Sequence, residues 1–428
     1  MVPHLKTSLT GQLLLLEKYF LDNQATIEAW FRMQFQQNPP PFYSSVDIRN
    51  SGFKLAPVDT NLFPAGFNNL NPKFLPLCVH AIQNSISRVC LSACKVLIIP
   101  ENHTRNEFYL RNLLTLKNMI EHAGLEVKIG SLSATDQIVI NLEASDNQTE
   151  QQIVFEPLIL KDGFLMVQDF EPCVCLLNND LSSGVPEILS KANQSLFVPP
   201  LELGWWDRLK SSHFNFYQNV AQEFAQKIGF DPWLINPLFS KCEDVNFTLL
   251  DDDECLAQNV KGLLAKIQKK YDQYQIDKKP FVLIKSDNGT YGMGILVVSS
   301  PEQVTSLNRK QRKKMTTNKG GGKITKVILQ EGVYTFETTS NNSVCEPVVY
   351  LFDKDVVGGF YRVHKGKGNN DNLNSPGMHF EPLSFAEPLI LPDKSQHPDD
   401  QLNRFYAYGV IARLAMLAAA REINQVLA

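Results

Sequence analysis

Lys285 closes a short apolar run, Phe281 to Lys285, and three glycines follow it closely: Gly289, Gly292 and Gly294. A second apolar run, Ile295 to Val298, begins at once. Backbone N–H groups of a glycine loop can approach phosphate oxygens because no Cβ intervenes. A lysine ammonium adds a point charge for the same oxygens. Strand, glycine loop and strand therefore predict a cradle for a nucleoside triphosphate, built from Lys285, Asn288, Gly289, Thr290, Tyr291, Gly292, Met293 and Gly294. The common phosphate loops are excluded. G-x-x-x-x-G-K-[ST] does not occur here, and no helix follows, as a dinucleotide fingerprint requires. The competing reading is a plain hairpin whose glycines serve only the turn.

Other constellations extend this chemistry. Lys326 to Val333 (KVILQEGV) reads as a strand running past a nucleotide base. Its backbone at Gln330 and Val333 can bond the base edge, and the Glu331 carboxylate can reach the base amine or the ribose. The alternative is a sheet strand with a surface glutamate. Cys345 to His364 reads as a hairpin turning at Asp353–Asp355, with Glu346 at one end and Arg362 at the other. An arginine there can neutralise charge on a transferring phosphoryl group. Asp371 to Gly377 carries asparagine and acidic oxygens that suit Mg²⁺ and phosphate, although the composition also describes an ordinary loop. Nearer the start, Asp47, Arg49, Lys54, Asp59, Asn61, Asn68 and Asn69 lie among phenylalanines. They could hold a zwitterion, with Arg49 or Lys54 on its carboxylate and Asp47 or Asp59 on its ammonium. Arg105 and Asn179 sit in loops that follow expected strands, a favoured place for ligand contact in α/β sheets.

These groups need elements to position them. Leu9 to Phe20 and Asp22 to Phe35 have helical spacing, and the prolines at 39–41 stop the second helix. Residues 42 to 72 read as a long irregular polar segment. Pro76 to Cys94 reads as a helix, Lys95 to Pro100 as a buried strand, Asn106 to Ala123 as an amphipathic helix closed by Gly124, and Glu126 to Ile129 as the next strand. That β-α-β order predicts an α/β layer with parallel pairing. Strands are expected at Ile153–Leu160, Phe164–Gln168, Val174–Leu177, Lys326–Gln330, Val344–Phe352 and Val356–Val363, and helices at Phe214–Ile228, Asp253–Tyr274 and Asp399–Leu427.

Bulk properties bound the rest. With 428 residues the chain can form two or three domains. Its 41 basic residues against 45 acidic ones argue against a nucleic-acid partner. The basic run Arg309 to Lys314 lacks interleaved aromatics and reads as a solvated helix face, or as attraction for anions near a cleft. No apolar run approaches the roughly 18 residues that span a bilayer. A cytoplasmic enzyme is therefore expected, with no membrane partner. Eight cysteines without C-x-x-C spacing suggest buried reduced thiols, with redox sensing as the alternative.

Several longer stretches resemble the proteobacterial-type glutamate–cysteine ligase family, the ATP-grasp-like branch. They are VDTNLFPAGFNNL (58–70), IPENHTRN (99–106), NNDLSSG (178–184), GWWDRLKSSHF (204–214), KSDNGTYGMGI (285–295), LNRKQRKKM (307–315), EPVVYLFDKDVVGGFYRVH (346–364) and NLNSPGMHF (372–380). Ala65 departs from the expected glycine, and the GGG at 320–322 is slightly extended. The resemblance implies an α/β (α+β) ATP-grasp-like fold. A substrate domain over 1–210 would precede a catalytic domain over 211–428, with a glycine-loop β-hairpin lid at about 275–335. It implies ATP and Mg²⁺ as cofactors, L-glutamate and L-cysteine as small-molecule substrates, and an acyl-phosphate intermediate. Lys285 and the 288–294 backbone would then hold phosphates, Arg362 would stabilise the transferring group, and Glu331 would contact adenosine. Arg208, in GWWDRLK, would join the substrate set, and Glu346, Asn372 and Asn374 would hold the metal. A sister ligase for another amine shares the whole ATP site. A phosphotransferase would need no amine acceptor.

Overall fold

The computed structural model describes residues 12–102, 106–143, 151–247, 254–288, 294–316, 323–339, 341–383 and 404–427. Three sheets carry the architecture. The central one is antiparallel, in the order Met378–Pro382, Asp355–His364, Val344–Phe352, Tyr43–Asn50, Leu55–Asn61. The second is largely parallel, in the order Phe197–Val198, Val174–Asn178, Lys95–Pro100, Glu126–Ser131, Gln151–Pro157, with Ile138–Leu142 antiparallel at its edge. The third is a four-stranded antiparallel sheet, Phe239–Cys242, Val327–Glu331, Val282–Ser286, Ile295–Val298.

The parallel sheet follows directly from its sequence. Lys95–Pro100 and Val174–Asn178 are apolar on both faces because helices or loops cover both. The helix Glu107–His122 between them starts on Asn106, whose side chain accepts from Tyr109 N. It ends before Gly124, which takes the left-handed φ of 90°.

Residues 42 to 72 are irregular only in their second part, after Asn61. They contain the strands Tyr43–Asn50 and Leu55–Asn61. Alternation is present, but both faces are buried. Val46 and Ile48 enter the main apolar core, while Ser45, Asp47 and Arg49 line cavities on the other face. A polar face usually signals solvent, and here it signals a cleft.

The helix Arg404–Val426 packs behind the central sheet. Every residue from Tyr406 to Ala420 is buried. Its one buried guanidinium in that span, Arg413, is held by Glu28 at 2.8 Å and lies over the Phe31 ring. The boundary expected near residue 210 runs through the central sheet, which takes two strands from before it and three from after it.

Candidate active site

The face of Tyr43–Asn50 that carries Asp47 and Arg49 meets Val344–Phe352 and Asp355–His364, which carry Glu346 and Arg362 opposite each other in register. Arg49 Nε donates to Glu346 Oε2 at 2.7 Å. Arg362 Nη1 donates to Glu346 Oε1 at 2.6 Å and to Asp47 Oδ2 at 2.8 Å. Arg49 also donates to the Val333 carbonyl at 3.2 Å and to the Asp371 carbonyl at 2.5 Å. Two arginines and two carboxylates thus lock three strands and two loops together. Burial pushes Glu346 up, but Arg49 and Arg362 outweigh it and hold the carboxyl below its ordinary range. For Asp47 burial prevails over Arg362, and its pKa is raised. Burial also opposes the Arg362 charge, yet Asp47 and Glu346 more than restore it.

Beside this group stands Lys285, at the end of Val282–Ser286 and 7% exposed. Its ammonium donates to Gln330 Oε1 at 2.6 Å and to the Val58 carbonyl at 3.0 Å. Burial lowers its pKa to about 8, and nearby Asp59 only partly offsets that. Lys210 donates to Asp59 at 2.6 Å and lies 4.3 Å from the centre of the Trp205 ring. Burial tends to raise Asp59, but Lys210, Lys285 and Arg208 together bring it below its usual range. Lys210 opens the helix Lys210–Ile228, which Asp287 anchors by accepting from Ser211 N at 2.7 Å and Ser211 Oγ at 2.6 Å.

Two cavities share this wall. The narrower, about 60 Å³, is lined by Arg49, Lys285, Glu346, Asn372 and the apolar Val58, Leu283, Ile295 and Val333. The wider, about 320 Å³, is lined by Asn61, Asn68, Asn69, Asn112, Asp180 and a set of aromatics that includes Trp205, Tyr350 and Phe360. Asp47, Asp59, Lys210, Arg362 and Asn374 line both. The narrower cavity sets four cations (Arg49, Lys210, Lys285, Arg362) against three carboxylates (Asp47, Asp59, Glu346), a balance that favours an anion. Ser286 and Ile295, from the two strands that precede and follow 289–293 in the chain, also line it. Gly289, Thr290, Tyr291, Gly292 and Met293 lie outside the described residues, as does Arg105.

Several expected residues stand elsewhere. Glu331 does not face the cavity. It is 1% exposed, accepts from Lys54 at 2.7 Å, and also accepts from Trp233 Nε1 and Leu238 N. That removes both Glu331 as an adenosine contact and Lys54 as a carboxylate ligand, because a buried charge needs its partner. Burial lowers Lys54 to about 8 even with that partner. Arg208 lies behind Leu55–Asn61, bidentate to Glu422 at 2.8 and 2.9 Å and donating to the Thr60 carbonyl. It supports the strand that presents Asp59. Asn179 caps its own loop, accepting from Leu181 N and donating to the Pro100 carbonyl.

The metal set fails on Glu346, since both its oxygens are held by arginines. Asn372 and Asn374 bond each other across a turn. Among the described residues no group of three or more His, Cys, Asp or Glu side chains is placed to hold an ion. The residues as arranged do not fit a divalent cation by themselves.

Sequence reasoning missed Lys210, two positions beyond Arg208 inside a motif already singled out. It also missed Asn112, whose Oδ1 accepts from Gly66 N and Phe67 N and so fixes the loop carrying Asn68 and Asn69. A buried asparagine on an amphipathic helix face was the available signal.

The glutamate-cysteine ligase family model (GshA) matches residues 17–423. A crystal structure from Methylobacillus flagellatus KT, of a protein assigned as a gamma-glutamylcysteine synthetase, is 54% identical. It overlays with a TM-score of 0.90, covering 100% of this chain and 99% of that one. A glutathione synthetase-like effector (GSS30) of Globodera pallida, solved in the apo form, is 9% identical with a TM-score of 0.37 over 86% of this chain and 80% of that one, too distant to carry an argument. No curated protein matches the chain.

Proposed function

The chain belongs to the glutamate–cysteine ligase family, and from that premise we propose how its cleft carries the reaction. The enzyme ligates L-glutamate to L-cysteine in glutathione biosynthesis, with ATP as the family's energy source. The narrower cavity takes the triphosphate, and the wider one takes the two amino acids. One observation carries this reading: Asp47, Asp59, Lys210, Arg362 and Asn374 line both cavities, so they stand where a phosphoryl group would cross.

Lys285 and the 288–294 backbone hold the phosphates, and Leu283, Ile295 and Val333 offer an apolar clamp for the base. Mg²⁺ accompanies the nucleotide as its counter-ion, and no step is assigned to it. The γ-carboxylate of glutamate attacks the terminal phosphorus and ADP leaves. Arg362 and Lys210 balance the charge that spreads over the transferring oxygens. The cysteine amine then attacks the acyl carbon and phosphate leaves. Asp47, whose raised pKa suits a proton acceptor, takes the proton that the ammonium must lose. The aromatic wall of the wider cavity keeps water from the acyl phosphate.

The test is phosphate release from Mg-ATP with glutamate alone, cysteine alone, and both. Release only with both, alongside γ-glutamylcysteine, is expected. Isotope from γ-carboxylate ¹⁸O should appear in the released phosphate, and its absence would remove the acyl-phosphate route.

A further inference from the structure

Cys94 and Cys173 stand where two neighbouring parallel strands begin. Cys94 immediately precedes Lys95–Pro100, and Cys173 immediately precedes Val174–Asn178. The two strands are in register, with Val96 opposite Val174, and Cys173 N donates to the Lys95 carbonyl at 2.9 Å. The two sulfurs are 3.9 Å apart, and Cys94 N points at Cys173 Sγ at 3.5 Å. Cys94 is exposed and Cys173 half-buried. Cys78 and Cys175, by contrast, are buried with their thiols pushed up to about 12.

We propose that Cys173 and Cys94 form a thiol–disulfide exchange site, which takes low-molecular-weight disulfides of the cystine type and closes reversibly to an intramolecular disulfide. A disulfide holds its sulfurs about 2.05 Å apart, so closure needs an approach of about 2 Å. Side-chain rotation at the exposed Cys94 supplies that approach while the ladder stays fixed.

The two thiols are unequal. The backbone N–H groups of Cys94 and Lys95 and the Lys95 ammonium hold Cys173 below the usual thiol range. The hydrogen bond and charge of Cys173 hold Cys94 above it. Cys94 N, aimed at Cys173 Sγ from 3.5 Å, favours negative charge on that sulfur, which assigns Cys173 as the attacking thiolate and Cys94 as the resolving thiol. The Cys173 thiolate attacks one sulfur of the small disulfide, whose S–S bond breaks, and one half leaves as a thiolate. Cys94 loses its proton to solvent and attacks Cys173 Sγ, and the second half leaves as a thiolate. The two cysteines are oxidised and the small disulfide is reduced to two thiols.

The site is remote from ligation. Val174–Asn178 spans five residues, about 17 Å, and the cavity-lining Asp180 lies two residues beyond its end. Neither sulfur touches either cavity, so the proposal stands whether or not the substrate assignment does.

The experiment incubates the reduced full chain with cystine near neutral pH, then counts free thiols after denaturation and maps the peptides by mass spectrometry. In the unsubstituted chain the eight thiols should fall by two, with a 94–173 cross-link that dithiothreitol reverses. Cys94→Ser should stop at a persistent half-cystine adduct on Cys173, formed faster than any adduct on the exposed Cys255. Cys173→Ser should form no cross-link. Both variants should keep ligase activity, which also shows that they fold. Adducts spread over Cys94 and Cys255 without a cross-link would overturn the proposal. So would Cys173 reacting no faster than Cys255 in Cys94→Ser.

Discussion

Lys285 is held where its charge is costly, and that makes it legible in solution. Its pKa is about 8 in the folded chain against 10.5 for the free side chain. Between those values the unfolded chain binds more protons than the folded one, so this lysine's contribution to stability grows as pH rises from about 8 through 10.5. It is lost as pH falls through 8. A bound triphosphate favours the ammonium and raises the pKa again. ATP binding near pH 8 should therefore take up protons, seen as binding heats that vary with buffer ionisation enthalpy. Lys285→Met should weaken ATP binding and abolish most of that uptake, and unchanged uptake would place the phosphates elsewhere. Arg362 gives a second prediction. It bridges Asp47 and Glu346 from one planar group, which a lysine cannot reproduce. Arg362→Lys should lower kcat by about a hundredfold, with a smaller change in KM for ATP. Equal kcat in the two proteins would remove Arg362 from the transfer step. The sequence already pointed to both positions, each a cation toward the end of an apolar strand, and both line the narrower cavity. Lys54 and Glu331 misled. Sequence shows two charges among apolar residues, but not that they are 2.7 Å from each other.

At the scale of elements, the strand Tyr43–Asn50 explains why the polar segment was misread. Its sequence, YSSVDIRN, alternates correctly, yet only Val46 and Ile48 are aliphatic. The polar set faces a cleft that other strands complete, and that cleft is not visible locally. The parallel strands and the long amphipathic helix were legible because their burial is written in unbroken apolar runs or in helical spacing. The Lys54–Glu331 pair joins the loop after Tyr43–Asn50 to the third sheet, under the Trp233 ring. Removing one member leaves a buried charge alone. Lys54→Met should cost about 3–5 kcal/mol in urea unfolding. The double variant with Glu331→Gln should recover most of it, because an amide oxygen in the place of Oε2 still accepts from Leu238 N and Trp233 Nε1, which lie 2.9 and 3.3 Å from it. Failure of the double variant to recover would mean that the lysine stem, not its charge, matters there.

At the scale of the molecule, the central sheet decides how the chain is divided. Tyr43–Asn50 pairs with Val344–Phe352 across most of the sequence, and the helix Arg404–Val426 packs against it within one apolar core shared with the helix Gln24–Gln37. A chain cut at 210 separates these partners. The first part would keep the parallel sheet and its core of Ile98, Val127 and Leu176. It would lose the neighbour of Tyr43–Asn50 and expose both an unpaired strand edge and the apolar face carrying Val46 and Ile48. The second part would keep the hairpin sheet, but Arg362 and Glu346 would lose Asp47 and Arg49. Fragments 1–210 and 211–428 made separately should each lack ligase activity, and the first should aggregate or show a shallow urea transition. Co-expressed, they should restore a cooperative transition and phosphate release dependent on both amino acids. Independent, sharp unfolding of each fragment would show that the two parts fold as separate domains that merely dock. That outcome would move the origin of the shared sheet from folding to assembly, because long-range β pairing would then form only after each core had closed.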